Sequence, residues 1–202
     1  MRTIGALIFP DFELLDVFGP MEMFGLLPDL YDLHLVGLTV GAIPSKQKIA
    51  AHATLNTQDD PEFDILFVPG GMGARSVMAD PALLNWINRA AAKAEYVMSV
   101  CTGSAILAKA DVLDGLSATT NKMAYDWVVS QNDKVHWQPK ARWVEDGKVF
   151  TSSGVSAGMD MALGAIARMH GTEQANEVAK WAEYTWHSDP DHDPFAVVHG
   201  LV

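Results

Sequence analysis

Three stretches of the chain, residues 3–9 (TIGALIF), 64–68 (DILFV) and 96–100 (YVMSV), are almost wholly apolar. Each stops abruptly, at Pro10, at Pro69-Gly70-Gly71 and at Cys101. A strand with one wet face alternates apolar and polar residues, whereas a strand covered on both faces has no reason to alternate. These runs are too short for a packed helix, so they predict strands buried on both sides. A fourth stretch, 32–39 (DLHLVGLT), alternates as a strand does.

Between and after these runs lie segments with helical spacing. Residues 20–27 predict a helix with Pro20 in its first turn. Residues 81–94 predict another, with Asp80 as N-cap and Pro81 inside it. Helices are also expected over 102–110, 122–130, 156–170 and 172–185, a short strand over 117–120, and a hairpin over 141–152 turning at Asp146-Gly147. Buried strands separated by helices specify an α/β fold of the flavodoxin-like, doubly wound kind, a mostly parallel sheet with helices on both faces. The expectation is one domain over residues 1–202, with 187–202 as a loop-like tail.

Composition narrows the partners. At 49% hydrophobic and 19% charged residues the chain suits a packed core rather than disorder. Its formal charge of −11 repels a phosphate backbone, which argues against a nucleic-acid partner. One cysteine excludes an internal disulfide and suits a reducing, cytoplasmic setting. The first apolar run ends at Pro10 and reads as a strand rather than a signal peptide, and no run reaches the ~18 residues of a spanning helix, so no membrane partner is expected.

In doubly wound sheets ligands sit beyond the carboxyl ends of the strands, so the residues there are the candidates. Ser99-Val100-Cys101-Thr102-Gly103-Ser104 runs from strand to helix with small residues about the cysteine, the order of a nucleophile elbow with Cys101 as nucleophile. A helix start would stabilise its thiolate; the alternative is a buried cysteine acting as a small hydrophobe. Pro69-Gly70-Gly71-Met72-Gly73 offers backbone N–H groups of Gly70 and Gly71 to a developing anion, or is only a tight turn. Asp16, set among apolar residues, has its neutral form favoured and suits proton transfer, or else caps the connection before Pro20. The tail sequence His187-Ser188-Asp189-Pro190-Asp191-His192 reads as a loop or lid rather than a metal site, and Asp160 as a cap or dimer contact.

These segments, together with Leu15-Asp16-Val17-Phe18-Gly19-Pro20, Ala118-Thr119-Thr120 and Gly154-Val155-Ser156-Ala157-Gly158-Met159-Asp160, resemble the ThiJ/PfpI superfamily over nearly the whole chain. The Cys-Thr-Gly-Ser version with an early Asp is more similar to the isonitrile hydratase branch than to the protease-like one. The resemblance implies attack by Cys101 on an isocyanide carbon, proton handling by Asp16, a hydrogen bond from Thr102 near the thiol or the aspartate, and polarisation by the Gly71 N–H. It further implies an N-substituted formamide as product, no metal or organic cofactor, a small-molecule substrate and a homodimer. One departure stands out: Asn121-Lys122 occupies the place where many relatives carry His-Trp. Two other functions remain open on these residues. One is a redox sensor or stress protein that works by oxidation of Cys101, and the other a ligand-sensing domain related to AraC-type regulator sensors.

Overall fold

A computed structural model describes residues 1–202. In chain order the elements are β1 (Arg2–Leu7), α1 (Leu14–Gly25), β2 (Tyr31–Gly37), β3 (Gly41–Pro44), β4 (Ala50–Ala53), β5 (Leu55–Asn56), β6 (Ile65–Val68), α2 (Ala74–Val77), α3 (Pro81–Lys93), β7 (Tyr96–Val100) and α4 (Gly103–Lys109). There follow β8 (Ser117–Ala118), α5 (Tyr125–Val129), β9 (His136–Trp137), β10 (Trp143–Asp146), β11 (Val149–Ser152), α6 (Ala157–His170), α7 (Thr172–Trp181) and α8 (Pro194–Val198).

Seven strands form the central sheet in the order β10-β11-β7-β6-β1-β2-β5. All neighbours run parallel except β10, which pairs antiparallel with β11 through the turn at Asp146-Gly147. The three apolar runs become β1, β6 and β7 at the centre, where every residue of Ile65–Val68 is fully buried. Burying a large aliphatic or aromatic side chain contributes ~1.5–3 kcal/mol, which is why these runs take the middle of the sheet. Helices α1, α6 and α7 pack together, while α3 and α4 pack together with α2 and α5 against α4, so that both faces are covered. From β1 the chain winds outward through β2 in one direction and through β6 and β7 in the other. The switch point therefore lies between the carboxyl ends of β1 and β6.

Three expectations need correction. The first helix begins at Leu14 rather than Pro20, and Pro20 lies inside it. Burial of Val17, Met21 and Phe24, and the close approach of α6, where Gly158 meets the Pro20 ring, outweigh the backbone bond that the proline forgoes. The tail is not simply a loop: Asp193 Oδ1 accepts the Phe195 N–H at 2.9 Å and Pro194 starts α8, the same Asp-Pro device that starts α3. Asp160 is neither a cap nor a surface contact. It is fully buried on α6 and receives Arg142 Nε at 2.7 Å, the Tyr184 hydroxyl at 3.0 Å and the His187 N–H at 2.9 Å, fastening the tail to the sheet edge. The hairpin β3–β4, which begins at Gly41, has no counterpart in the sequence expectations.

Candidate active site

Cys101 stands directly after β7 with φ +58°, a left-handed conformation that turns the chain sharply into α4. The turn is over-determined. The Cys101 N–H is donated toward the carbonyls of Ser152 and Ser153, both at 3.2 Å, and its carbonyl accepts the hydroxyls of Thr120 at 2.9 Å and Ser104 at 3.1 Å. Gly103 permits the next step, since a Cβ there would overlap the Val68 carbonyl oxygen. Strain of this kind persists only when its surroundings hold it, and here they present one side chain to a cavity.

Two more strand ends converge on the cysteine. Asp16, in the first turn of α1 after β1, is fully buried, and its Oδ2 accepts the Gly70 N–H from the loop after β6 at 2.9 Å. Its Oδ1 has no hydrogen-bond partner, and the Cys101 thiol lies beside that carboxyl. Burial pushes the Asp16 carboxyl up to about 8, against the opposing pull of the Gly70 N–H. The Cys101 thiol is pushed well above its usual range, first by burial and then by the neighbouring Asp16. Burial thus works against the thiolate expected at a helix start and favours the neutral form of both groups.

Thr102 does not reach Asp16. Its hydroxyl oxygen accepts the Gly71 N–H at 3.0 Å and lies 3.3 Å from the Gly71 carbonyl. The N–H groups of Gly70 and Gly71 are thus both engaged within the protein, one holding Asp16 and the other Thr102. The donors that face the sulfur are the Thr102 N–H and the Asn121 side-chain amide, and both favour its charged form. In the sequence Asn121 stands out only as a departure at a histidine position. Its Oδ1 accepts the Ala124 N–H at 3.0 Å, which leaves the NH2 end to face Cys101. The signal that could have found it is the one that found the others, a polar residue just past a strand, here β8. Lys122 turns away, with Nζ 2.7 Å from Thr119 Oγ1 and 2.6 Å from the Ala141 carbonyl.

The cysteine, 6% exposed, opens on a cavity of about 590 Å³ with Met72, Met123, Trp127 and Val155 in its walls and Glu13, Lys46, Arg75 and Asp126 about its rim. That volume suits a small organic molecule. The Arg75 guanidinium lies 4.0 Å from the centre of the Trp127 ring, and both side chains line the cavity. Nowhere in the chain do three or more His, Cys, Asp or Glu side chains gather as metal ligands would, the tail histidines included.

The sequence profile of the DJ-1/PfpI family matches residues 2–168. The chain belongs to the DJ-1/PfpI family. It is 36% identical over 200 residues to an isonitrile hydratase of Pseudomonas putida, an alignment covering 96% of this chain and 86% of that one. It is 27% identical to the HTH-type transcriptional regulator GbdR of Pseudomonas aeruginosa, covering 99% of this chain but only 56% of the regulator. Among solved structures, a ThiJ/PfpI family protein from Pseudomonas syringae superposes with a TM-score of 0.83 at 29% identity, covering 96% of this chain and 76% of that one. The relatives of this chain thus include an enzyme and a regulator, so the choice of function falls to the site.

Proposed function

We propose that this DJ-1/PfpI protein is an isonitrile hydratase-like enzyme that adds water to an isocyanide, R–NC, to give the formamide R–NH–CHO. The observation that carries this reading is Cys101 at the wall of an open cavity with the Asp16 carboxyl buried beside its thiol, burial favouring the neutral form of each. An isocyanide carbon takes up both a nucleophile and a proton, so a neutral thiol–carboxyl pair supplies what the first step consumes. The 36% identity to an isonitrile hydratase supports the same substrate class.

In the first step the Cys101 sulfur bonds to the terminal carbon and a proton reaches that carbon by way of the pair, giving the thioformimidate R–N=CH–S–Cys101. The Thr102 N–H and the Asn121 amide stabilise negative charge on the sulfur as its proton leaves. Asp16, which holds the thiol's proton after this step, passes a proton to the imine nitrogen and takes one from water as water adds to the same carbon. Collapse of R–NH–CH(OH)–S–Cys101 breaks the carbon–sulfur bond, returns the proton to the thiol and releases the formamide. Gly70 and Gly71 act here as positioning groups, through their N–H bonds to Asp16 and Thr102. The scheme calls on no metal or organic cofactor, and the reading includes a cytoplasmic homodimer.

Purified protein supplied with cyclohexyl isocyanide tests the reading. Formamide should form with the wild type and be lost in Cys101→Ser and Asp16→Asn; equal rates in the wild type and Cys101→Ser would end it. A second reading, a sensor that binds a small ligand without turnover, is favoured by the match to a transcriptional regulator along 99% of this chain. A sensor would bind its ligand equally well in Cys101→Ser.

A further inference from the structure

A second cavity, of about 290 Å³, lies beside the cysteine cavity. Asn121, Met123 and Val155 line both. The far wall of the second cavity comes from side chains that the chemistry does not use: Leu15 of α1, and Phe195 and His199 of the tail. Phe195 is 51% exposed, Met123 77% and Leu15 40%, so these side chains present hydrocarbon without themselves belonging to the core.

We propose that this second cavity receives the organic substituent R of the isocyanide, and that Phe195 of α8 sets the size of substituent accepted. The inference rests on the isocyanide reading for its substrate class. The R–N–C unit of an isocyanide is linear, so with its terminal carbon at the Cys101 sulfur R lies at the far end of a short rod and needs room of its own beside the cysteine cavity. Toward the outside, an apolar R meets the rim of Glu13, Lys46, Arg75 and Asp126 and would strip water from charges. Past Asn121 and Val155 it meets Met123, Leu15 and Phe195 instead, in a wall whose one lysine, Lys122, has its Nζ engaged by Thr119 and the Ala141 carbonyl. Met123 is unbranched and exposed, which suits a partition that swings to join the two cavities.

The tail is built to hold that wall still. Asp193 caps α8 and its Oδ1 lies 3.8 Å from Arg142 Nη1, while Arg142 Nη2 is 2.6 Å from Asp160 Oδ2. The Pro190 carbonyl accepts the Arg142 N–H at 2.7 Å, and the Asp193 N–H is donated to the Lys140 carbonyl at 2.8 Å. A buried ion pair and a cap hold this segment as firmly as a wall of a binding site requires.

The test uses Phe195→Ala and Phe195→Trp with methyl, tert-butyl and cyclohexyl substituents, in two arms. The first reads kcat/KM on the three isocyanides. The second reads the rate of Cys101 alkylation, by intact mass, with iodoacetamides carrying the same three groups on nitrogen. Phe195→Ala should raise the cyclohexyl-to-methyl ratio ~10-fold and Phe195→Trp lower it similarly, the range expected when a few methylene groups gain or lose room. Thermal unfolding of both variants should stay near wild type, because the ring is half exposed. If the wild type turns over none of the isocyanides, the hydratase reading fails and the alkylation arm alone decides the subsite. Ratios unchanged in the arms that report overturn the proposal. So does a change in sedimentation mass with unchanged ratios, which would make this face a contact between two copies of the chain.

Discussion

Asp16 Oδ2 accepts the Gly70 N–H at 2.9 Å, while its other oxygen is buried without a partner beside the Cys101 thiol. One satisfied and one unsatisfied oxygen make a carboxyl that is better neutral than charged. Its folded value is raised from 3.8 to about 8, so the stability it contributes is full below the unfolded value and is lost as pH rises toward 8. Asp16→Asn should therefore be more stable than the wild type at pH 8, by ~2–4 kcal/mol at 1.36 kcal/mol per unit after allowing for relaxation. Urea unfolding at pH 4, 6 and 8 should show that gain shrinking as pH falls. A gain that grows toward pH 4 would contradict the assignment.

The same carboxyl predicts a limb in the activity profile. Where the first step needs the protonated pair, kcat/KM for an isocyanide should fall above a pH of about 8. A profile flat to pH 10 would separate Asp16 from the proton-transfer step.

Cys101 should be a slow target for peroxide. Oxidation follows the thiolate, and burial together with Asp16 holds this thiol well above its usual range. Intact mass after a small excess of peroxide, more than two equivalents, at pH 7 should show oxygen addition no faster than to a free cysteine. Rapid conversion to the sulfinic acid would favour the redox-sensor reading over catalysis.

The buried pair of Arg142 and Asp160 gives a stability prediction. Arg142→Met leaves Asp160 buried with only the Tyr184 hydroxyl and the His187 N–H, and should cost about 3–5 kcal/mol. Combining it with Asp160→Leu should recover part of that loss. Limited proteolysis should cut Arg142→Met within residues 187–193, and an uncut tail would show that the pair does not hold it.

Gly103→Ala should weaken both the fold and the site, because the added methyl overlaps the Val68 carbonyl at the base of the elbow. A loss of ~2–4 kcal/mol in chemical denaturation is expected, in the range of an overpacked core position. Wild-type stability would mean that the elbow shifts freely, in which case Cys101 is not held in place.

Much of this arrangement is legible in local sequence. β1, β6 and β7 announce themselves by unbroken hydrocarbon, the β10–β11 turn by Asp146-Gly147, and α3 by Asp80-Pro81. What local rules miss is decided at a distance. Pro20 reads as a helix start until packing against Gly158 of α6 shows why the helix begins earlier. Asp160 finds its partners at Arg142, Tyr184 and His187, well beyond any helix turn. Asn121 carries no motif of its own and becomes a donor to the sulfur only because β8 ends near β7's carboxyl end. The β3–β4 hairpin, rich in alanine and without an Asn-Gly or Asp-Gly turn, gives no strand signal.

The switch point between β1 and β6 has a consequence for the newly made polypeptide. Asp16, Gly70 and Cys101 lie 54 and 31 residues apart along the chain and meet only when the parallel strands have closed beside one another. Such long-range closure comes late in folding. A half-assembled molecule therefore carries an ordinary cysteine, and its distinctive chemistry arrives together with its native shape.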